Sequence, residues 1–353
     1  MINYSDFAIP LAWPDKTAFG DEKWMAVLKK CGIVKNLNFK VGHAAILLVS
    51  RRTGQIDYYD FGRYVSPRGD GRARSKLFDQ RLSMQSIAQF SQNTIVNLPT
   101  ILNELDDMED ATHGGGRLLF SMVPNISQIA ASQYADVLAT KGPIPYGAFA
   151  AGNNSCSRFV AQVLIAGMKP KDRRIRKIKY PETIKPSPLS NITNTHIDGF
   201  IGCYDKGELT YWKMNRLRSL QFHWQAIKEN LSHKHVLNLG NDRGNGQIKQ
   251  PNNKPHTLQD NAQWLGGIGE GMWFQVSLVN QDKSYYKFES FTHTGVLVNE
   301  VYTHYPLRTF DIESPFEITM QMDGQYFILL QSNTQHLFKK IEDNIYKKTL
   351  KVI

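Results

Sequence analysis

The sequence predicts an α+β protein in two parts, an antiparallel sheet packed on helices followed by a mostly β region. In the first half, segments with the apolar period of a helix alternate with short apolar runs typical of strands. Near the C-terminus, runs of alternating apolar and polar residues dominate. With 353 residues and a hydrophobic content of 41%, the chain is long enough for two domains with ordinary cores.

A proline-containing stretch predicts where the two parts divide. The segment YPETIKPSPLSNITN (180–194) contains three prolines, which are unfavourable for regular structure. We therefore expect a first domain over residues 1–180, a linker region over 181–209, and a helix with an antiparallel β domain over 210–353.

Local patterns predict the elements of the first domain. Residues 21–34 and 126–142 have helical apolar periods. Residues 41–65 combine an apolar run, a glycine-containing turn and an aromatic-rich run, which predicts a β-hairpin. The segment SPRGDGRAR (66–74) is expected to be a loop because it is rich in Gly, Pro and Arg.

The second domain is expected to begin with an amphipathic helix over 210–234, followed by a polar loop over 240–256. Five alternating runs then predict an antiparallel sheet, and Asp323-Gly324 is a strong hairpin signal between the last two. A helix near 334–347 is expected to close the domain. The runs are MWFQVSLV, YYKFESF, TGVLVNEVY, FEITMQM and QYFILLQ.

Composition restricts the functional classes. No apolar run reaches about 18 residues, so no transmembrane segment is expected. The N-terminus lacks the basic and apolar regions of a secretory signal, which predicts a cytoplasmic protein and leaves export by another route open. Three widely spaced cysteines argue against a disulfide scaffold or a structural zinc site and favour a reducing compartment, with Cys31 and Cys203 as buried core residues. The sequence leaves the oligomeric state open.

The positive charge favours an anionic partner. The net charge is +10 and the pI is near 9.3. Part of the excess is local, because KPKDRRIRKIKY (169–180) holds seven Lys or Arg residues against one Asp. This basic segment is either a solvated surface or a site for an anionic ligand.

The strongest candidate for chemistry is Cys156, in the segment NNSCSRFVAQVL (153–164). The three residues before it are N-cap types, and an apolar helical pattern follows. Cys156 is therefore expected in the first helical turn, where the helix dipole favours a thiolate and backbone amides can hold an oxyanion. His43 opens the apolar strand HAAILLV, where an imidazole needs a polar partner. Together the two residues form a candidate thiol–imidazole pair.

These segments resemble a known group. GHAAILLV followed by a second strand, and later PYGAFAAGNNSCSRFV, are similar to the circularly permuted papain-like fold, which includes permuted NlpC-like hydrolases, lecithin:retinol acyltransferase-like proteins and eukaryotic deSUMOylating isopeptidases. His43 precedes Cys156, as permuted members require. The resemblance covers about residues 38–168. It implies that the first domain is catalytic, with Cys156 as nucleophile, His43 as general base and Tyr146 near the site.

A third polar residue usually orients the histidine from the next strand, and Asp60 in YYDFGRY is the candidate. If the hairpin centres on Arg51-Arg52, Asp60 lies directly opposite His43. If Thr53-Gly54 forms the tip, Asp60 stays on the same face four residues along, and Tyr64 takes the opposite place.

Four residues are candidates for substrate binding: Tyr146, Arg63, Arg72 and Asn154. Arginines beside a thiol site can clamp a carboxylate or phosphate of the substrate. Alternatively, the arginines that follow Asp60 are structural residues of a solvated loop.

The sequence therefore favours a cysteine-dependent hydrolase or acyltransferase that acts on an amide, isopeptide or ester bond through a Cys-His dyad or triad. No metal or organic cofactor is expected. Peptide, cell-wall and lipid-ester substrates all agree with this reading. The alternative is a non-catalytic binding or structural protein that retains the papain-like fold, in which Cys156 serves only for packing.

Overall fold

A computed structural model describes residues 3–21, 23–32, 36–92, 94–147, 152–231, 246–282, 284–307, 309–322 and 325–341. Its described part is an α+β fold with one large antiparallel sheet in the first 213 residues and a second antiparallel sheet near the C-terminus. The predicted fold class is therefore confirmed, including the mostly β C-terminal region. Within the described residues, no helix has the length and apolar character of a membrane span.

The strands fall into two groups. Those of the first 213 residues are β1 (Asp6–Trp13), β2 (Thr17–Phe19), β3 (Asn38–Lys40), β4 (His43–Val49), β5 (Ile56–Gly62), β6 (Asp70–Arg74), β7 (Phe90–Ser91), β8 (Thr94–Ile95), β9 (Leu118–Phe120), β10 (Val123–Ile126), β11 (Ile144–Pro145), β12 (Phe200–Asp205) and β13 (Glu208–Lys213). Those of the C-terminal region are β14 (Gln263–Gly266), β15 (Gly271–Asn280), β16 (Tyr285–Phe291), β17 (Leu297–His304), β18 (Glu317–Ile318), β19 (Tyr326–Gln331) and β20 (Thr334–Lys340).

The helices lie mainly between strands of the first group. They are α1 (Lys23–Lys30), α2 (Leu98–Asp107), α3 (Glu109–Thr112), α4 (Gln128–Thr140), α5 (Cys156–Gly167), α6 (Arg173–Lys179), α7 (Pro188–Thr193) and α8 (Arg216–Leu231), with a 3-10 turn at Gln80–Leu82.

The centre of the large sheet is the antiparallel pair β1 and β4, which runs in register from Phe7 opposite Val49 to Trp13 opposite His43. The sheet order is β11-β6-β5-β4-β1-β9-β12-β13, and β10 also pairs with β1. Side chains on one face of β1 and β4 pack with α4 and α5, and those on the other face pack with α2. Because both faces are covered, these strands are apolar throughout rather than alternating.

The predicted hairpin is β4 and β5, with a turn that differs from both predicted alternatives. Asp60 pairs with Ala45, and Ser50 pairs with Gln55, so the turn centres on Arg52 and Thr53. The register is therefore intermediate between the two predicted registers.

The predicted linker over 181–209 contains regular structure. Pro188 stands at the start of α7, where its missing N–H costs no helical hydrogen bond, and Ser187 forms a capping box with Ser190. Farther along, β12 pairs with β9 and extends the large sheet. Much of this segment thus packs with the first region, while the division of the chain into domains stays a prediction.

Three further expectations need correction. The predicted loop over 66–74 includes β6, which pairs with β5. The helix expected over 210–234 begins only at Arg216, because the residues before it form β13. The helix expected near 334–347 is wrong up to Lys340, where β20 alternates buried and exposed side chains against β19. Residues 342–347, the Asp323-Gly324 turn and residues 240–245 of the expected polar loop lie outside the described residues.

Candidate active site

Cys156 is the first residue of α5, as predicted. Ser155 caps the helix, with its hydroxyl accepting a hydrogen bond from the Arg158 amide at 3.3 Å. Apolar residues one to two turns later, including Phe159 and Val163, are fully buried against the large sheet. This packing holds the first helical turn, where backbone amides have no intrahelical acceptor, near the start of β4.

His43 begins β4 and lines the same cleft as Cys156, and the two side chains interact closely enough for each to shift the pKa of the other. The imidazole side chain is 14% exposed, and the Trp13 ring stacks against it with centroids 5.7 Å apart. The hairpin and the capped helix therefore bring together the two residues that the sequence singled out, although they are far apart along the chain.

The two groups favour an ion pair. Burial disfavours charge on His43, but the neighbouring Asp60 carboxylate and Cys156 thiolate outweigh it and raise the pKa of His43 to about 9. Burial likewise opposes the thiolate, but the hydrogen bond and charge of His43 outweigh it and hold the pKa of Cys156 below its ordinary value. The arrangement supports a thiolate beside an imidazolium at neutral pH.

Asp60 lies on the other side of the imidazole. Its Oδ2 atom is 3.7 Å from His43 Nε2, which allows an ionic contact rather than a direct hydrogen bond. The Tyr64 hydroxyl lies 3.5 Å from the same nitrogen and donates to Asp60 Oδ2 at 2.7 Å. Because His43 Nε2 faces these oxygens, Nδ1 is the ring nitrogen that is available to the Cys156 thiol. Both Asp60 and Tyr64, the two residues that compete in the sequence alternatives, therefore reach His43.

Asp60 is fully buried and extensively hydrogen bonded. Arg74 donates to its two oxygens at 3.1 and 2.7 Å, and the Tyr58 hydroxyl donates at 3.1 Å. Burial opposes ionisation, but the Arg74 charge outweighs it, with help from His43, and keeps the pKa of Asp60 well below its usual range. Asp60 is therefore a permanent anion beside the histidine.

The predicted substrate-binding residues divide into two pairs. Tyr146 and Arg63 line the same cleft as Cys156 and His43, and the Arg63 guanidinium lies 5.0 Å from the centroid of the Tyr146 ring. A backbone bridge between Tyr146 and Asn154 places the tyrosine beside the helix start.

Arg72 and Asn154 do not point into the cleft. Arg72 is buried and donates to the carbonyl oxygens of Met320 and Met322 at 3.0 and 3.4 Å, so it joins the first region to the C-terminal region. The Asn154 side chain is also buried, and it accepts from the Ser155 amide at 3.0 Å. Both side chains therefore have intramolecular partners, and that these two residues bind substrate stays a prediction.

The sequence reasoning missed the role of the C-terminal region at this site. The cleft has a volume of about 820 Å³, and residues from the C-terminal sheet and its loops form one wall. Glu270 lies in this wall and contacts Arg74 from the side opposite Asp60. The one sequence signal for this wall was the glycine-rich motif GGIGEG (266–271). Its spacing argues against a phosphate-binding loop, but it does not predict that the segment packs against the first region. The wall includes Ile248, Trp264, Ile268, Thr292, His293 and Val296.

The other two cysteines lie away from the cleft. Cys203 is buried in β12 among apolar side chains, which confirms the predicted core position. Cys31 is exposed, so the expectation that it is a buried core residue is wrong. It follows the last turn of α1, where the chain turns at Gly32 and leaves the thiol at the surface.

The basic segment 169–180 contains α6, with Asp172 as its N-cap. Arg174 is tied to Asp172 by a contact of 2.7 Å, whereas Lys171, Arg173 and Lys177 are exposed. The exposed residues leave a positively charged surface. That it binds an anionic ligand stays a prediction.

The fold and the site together define a class: an α+β protein with a helix-start cysteine, a strand-borne histidine and a buried aspartate in one cleft. Residues 8–173 match the family of Type VI secretion system effector TseH-like proteins. Residues 262–341 match a second family, the DUF6695 C-terminal domain. The first half of the chain is thus similar to an effector family, and the C-terminal sheet to a family of its own.

One solved structure is similar to this chain. It is the crystal structure of the Type VI secretion system effector TseH, with 20% sequence identity and a TM-score of 0.40. The match covers 59% of this chain and 98% of that chain. No curated protein shows significant similarity to the sequence.

Proposed function

We propose that this protein is a cysteine-dependent hydrolase, in which Cys156 attacks an amide, isopeptide or ester carbonyl. The observation that carries the proposal is that Cys156 and His43 line one cleft, while the Nε2 atom of His43 faces the buried carboxylate of Asp60. A cysteine that serves only for packing does not require a buried carboxylate beside the neighbouring histidine. The similarity of residues 8–173 to a family of secreted effectors supports a hydrolytic effector, and the motif order supports a permuted papain-like domain.

The geometry suggests a two-stage reaction. The Cys156 thiolate attacks the carbonyl carbon, and amides of the first turn of α5 stabilise the resulting oxyanion. Protonated His43 gives its proton to the leaving amine or alkoxide, which leaves a thioester on Cys156. Neutral His43 then takes a proton from water, and the resulting hydroxide attacks the thioester carbonyl. The Cys156 thiolate departs and the imidazolium is restored, so both protons are accounted for. With an alcohol or amine acceptor in place of water, the same steps give acyl transfer.

The test is turnover of a panel of a peptide amide, a cell-wall stem peptide and a lipid ester by wild type, Cys156→Ala, His43→Ala and the double variant. Each single variant is expected to lose at least about 10³-fold in kcat/KM, and the double variant is expected to be no worse, because the residues act as a unit. Cys203→Ala is the control, since its thiol is in the core away from the cleft.

Turnover by Cys156→Ala at the wild-type rate would refute this mechanism. Absence of turnover of any substrate in the panel by the wild type, with Cys156 no more reactive than a free thiol, would favour the non-catalytic alternative.

A further inference from the structure

We propose that Glu270 is a positioning residue of this active site, and that the C-terminal region thereby completes the network that holds Asp60 and His43. This inference rests on the proposed function of the Cys156–His43 pair. It adds that the pair depends on a residue from outside the segment that is similar to the effector family.

Glu270 is held between three cationic or titratable side chains from the first region. Its Oε2 atom lies 3.3 Å from Arg74 Nη1 and 3.4 Å from His113 Nε2, and its Oε1 atom accepts from Arg81 Nη2 at 2.9 Å. The residue is only 9% exposed. A carboxylate so buried is costly unless it is paired. Here Arg74 links Glu270 to Asp60, and Arg81 and His113 line the same cleft as Cys156.

The link to His43 passes through Arg74, which is fully buried. One side of its guanidinium holds both oxygens of Asp60, and the other side faces Glu270 and, at 3.5 Å, Asp79. Glu270 therefore fixes the plane of the guanidinium that fixes Asp60. Its charge also reduces the net positive charge of Arg74 felt by Asp60 and His43, which favours the imidazolium.

The glycine loop that carries Glu270 also packs on the strand end that carries Tyr64. The Gly269 amide donates to the Arg63 carbonyl oxygen at 2.7 Å. At Gly267, an added Cβ would lie 1.7 Å from the Tyr64 carbonyl oxygen, so only glycine permits this approach. The Tyr64 hydroxyl contacts both Asp60 and His43. The loop therefore acts on the site in two ways, through its backbone packing against Tyr64 and through the charge of Glu270.

If the charge of Glu270 acts through Arg74, its removal should change the pH at which the Cys156–His43 pair titrates. The groups that face His43 are Cys156 from α5, Asp60 from β5 and Tyr64 just beyond β5. The readout is the rate of Cys156 alkylation by iodoacetamide as a function of pH, in a Cys31→Ser background that removes the exposed thiol. It requires no substrate.

Glu270→Gln keeps the size and an acceptor but removes the charge. The raised pKa of His43 predicts an alkaline transition near pH 9 in the wild type, and we expect the transition of Glu270→Gln to lie about half a unit to one unit lower. Glu289→Gln is the matched control: Glu289 is also 9% exposed and lies in the C-terminal sheet, but contacts Gln275 and Lys287. It should leave the profile unchanged.

Two further outcomes keep the test decisive. Glu270→Asp retains the charge, so its transition should lie within about 0.3 unit of the wild type. If Glu270→Gln fails to fold, Glu270→Ala removes the same charge and should show the same downward shift. Superimposable profiles for wild type, Glu270→Gln and Glu289→Gln would overturn the inference. A wild-type Cys156 that alkylates rapidly while no substrate is hydrolysed would refute the proposed function alone, and a wild type with no alkaline transition would refute both.

Discussion

Replacement of Asp60 by Asn probes the buried carboxylate on which both the histidine and Arg74 depend. Asn keeps the shape of the side chain and one acceptor oxygen, but it removes a negative charge from a position with no solvent exposure. Arg74, equally buried, loses the partner that holds it with two hydrogen bonds. His43 loses the anion behind its imidazolium. Asp60→Asn should therefore reduce both stability and reactivity.

The magnitude follows from the two partners. Removal of one member of a buried ion pair costs about 3–5 kcal/mol, and Asn should lie near the lower end because it still accepts from Arg74. The rise in the pKa of His43 from 6.5 to about 9 is equivalent to roughly 3 kcal/mol in favour of the imidazolium. Asp60 and Cys156 share this effect. Asp60→Asn should thus lower the pKa of His43 by about one unit and reduce kcat/KM by about 10²-fold or more.

The pH dependence has a defined sign. Because the pKa of His43 is raised, its stabilising contribution is complete below the unfolded value of 6.5 and is lost as the pH rises through about 9. The pKa of Asp60 is lowered, so its contribution is present above its ordinary value of 3.8 and is lost only in acid. The difference in unfolding free energy between wild type and Asp60→Asn should be largest near pH 6 and smaller, by about 1–2 kcal/mol, near pH 10.

Urea unfolding at pH 6 and pH 10 measures this difference, with Asp57→Asn as the control. Asp57 lies in the same strand but is paired with Lys76, whose side chain is 43% exposed, so its loss should cost no more than about 1 kcal/mol. A cost for Asp60→Asn no greater than that for Asp57→Asn, or a cost that is the same at both pH values, would contradict the buried ion pair and the raised pKa of His43.

The remaining predictions concern the thiols and the core. Cys156 should be alkylated at pH 6 at least about tenfold faster than Cys31, because the His43 imidazolium favours the Cys156 thiolate, although Cys31 is more exposed. Peptide mapping after brief labelling measures the two rates. Faster labelling of Cys31 would contradict the ion pair. Phe159→Ala should destabilise the protein by about 3–5 kcal/mol, since Phe159 is fully buried between α5 and the sheet; thermal unfolding measures it, and a cost near that of the exposed Ile129→Ala would show that α5 does not hold the site as described.

Local signals predicted the parts of the site that depend on neighbouring residues. The cap residues before Cys156 and the apolar run after it specify a helix start, and HAAILLV specifies a strand that begins with a histidine. Their proximity followed from a resemblance in motif order, not from local pattern. The register of Asp60 was not predictable to one residue, because both strands of the hairpin bury side chains on both faces. The two acidic residues of β5, Asp57 and Asp60, fall on opposite faces, so no polar alternation fixes the register.

The parts that were missed depend on contacts between distant segments. Arg74 appeared as one of several arginines in a polar loop, and only the pairing of β6 with β5 buries it against Asp60. Strand β1 is apolar on both faces and contains Pro10, so it carried neither an alternating pattern nor a helical one. The prolines of segment 180–194 predict a linker and not the helix α7. Pro188 is nevertheless compatible with that helix, because it lies in the first helical turn, where its missing N–H costs no hydrogen bond.

The close fit of the glycine loop against Arg63 and Tyr64 has a consequence for the order of events in the cell. A chain is synthesised from its N-terminus, so His43, Asp60 and Cys156 leave the ribosome and can fold while residues 266–271 are still unmade. Until that loop docks, the outer side of the Arg74 guanidinium faces Asp79 without Glu270, and the cleft lacks the wall that the C-terminal region supplies. Under the proposed function, we therefore expect a chain that lacks this loop to react more slowly at Cys156 than the full chain does.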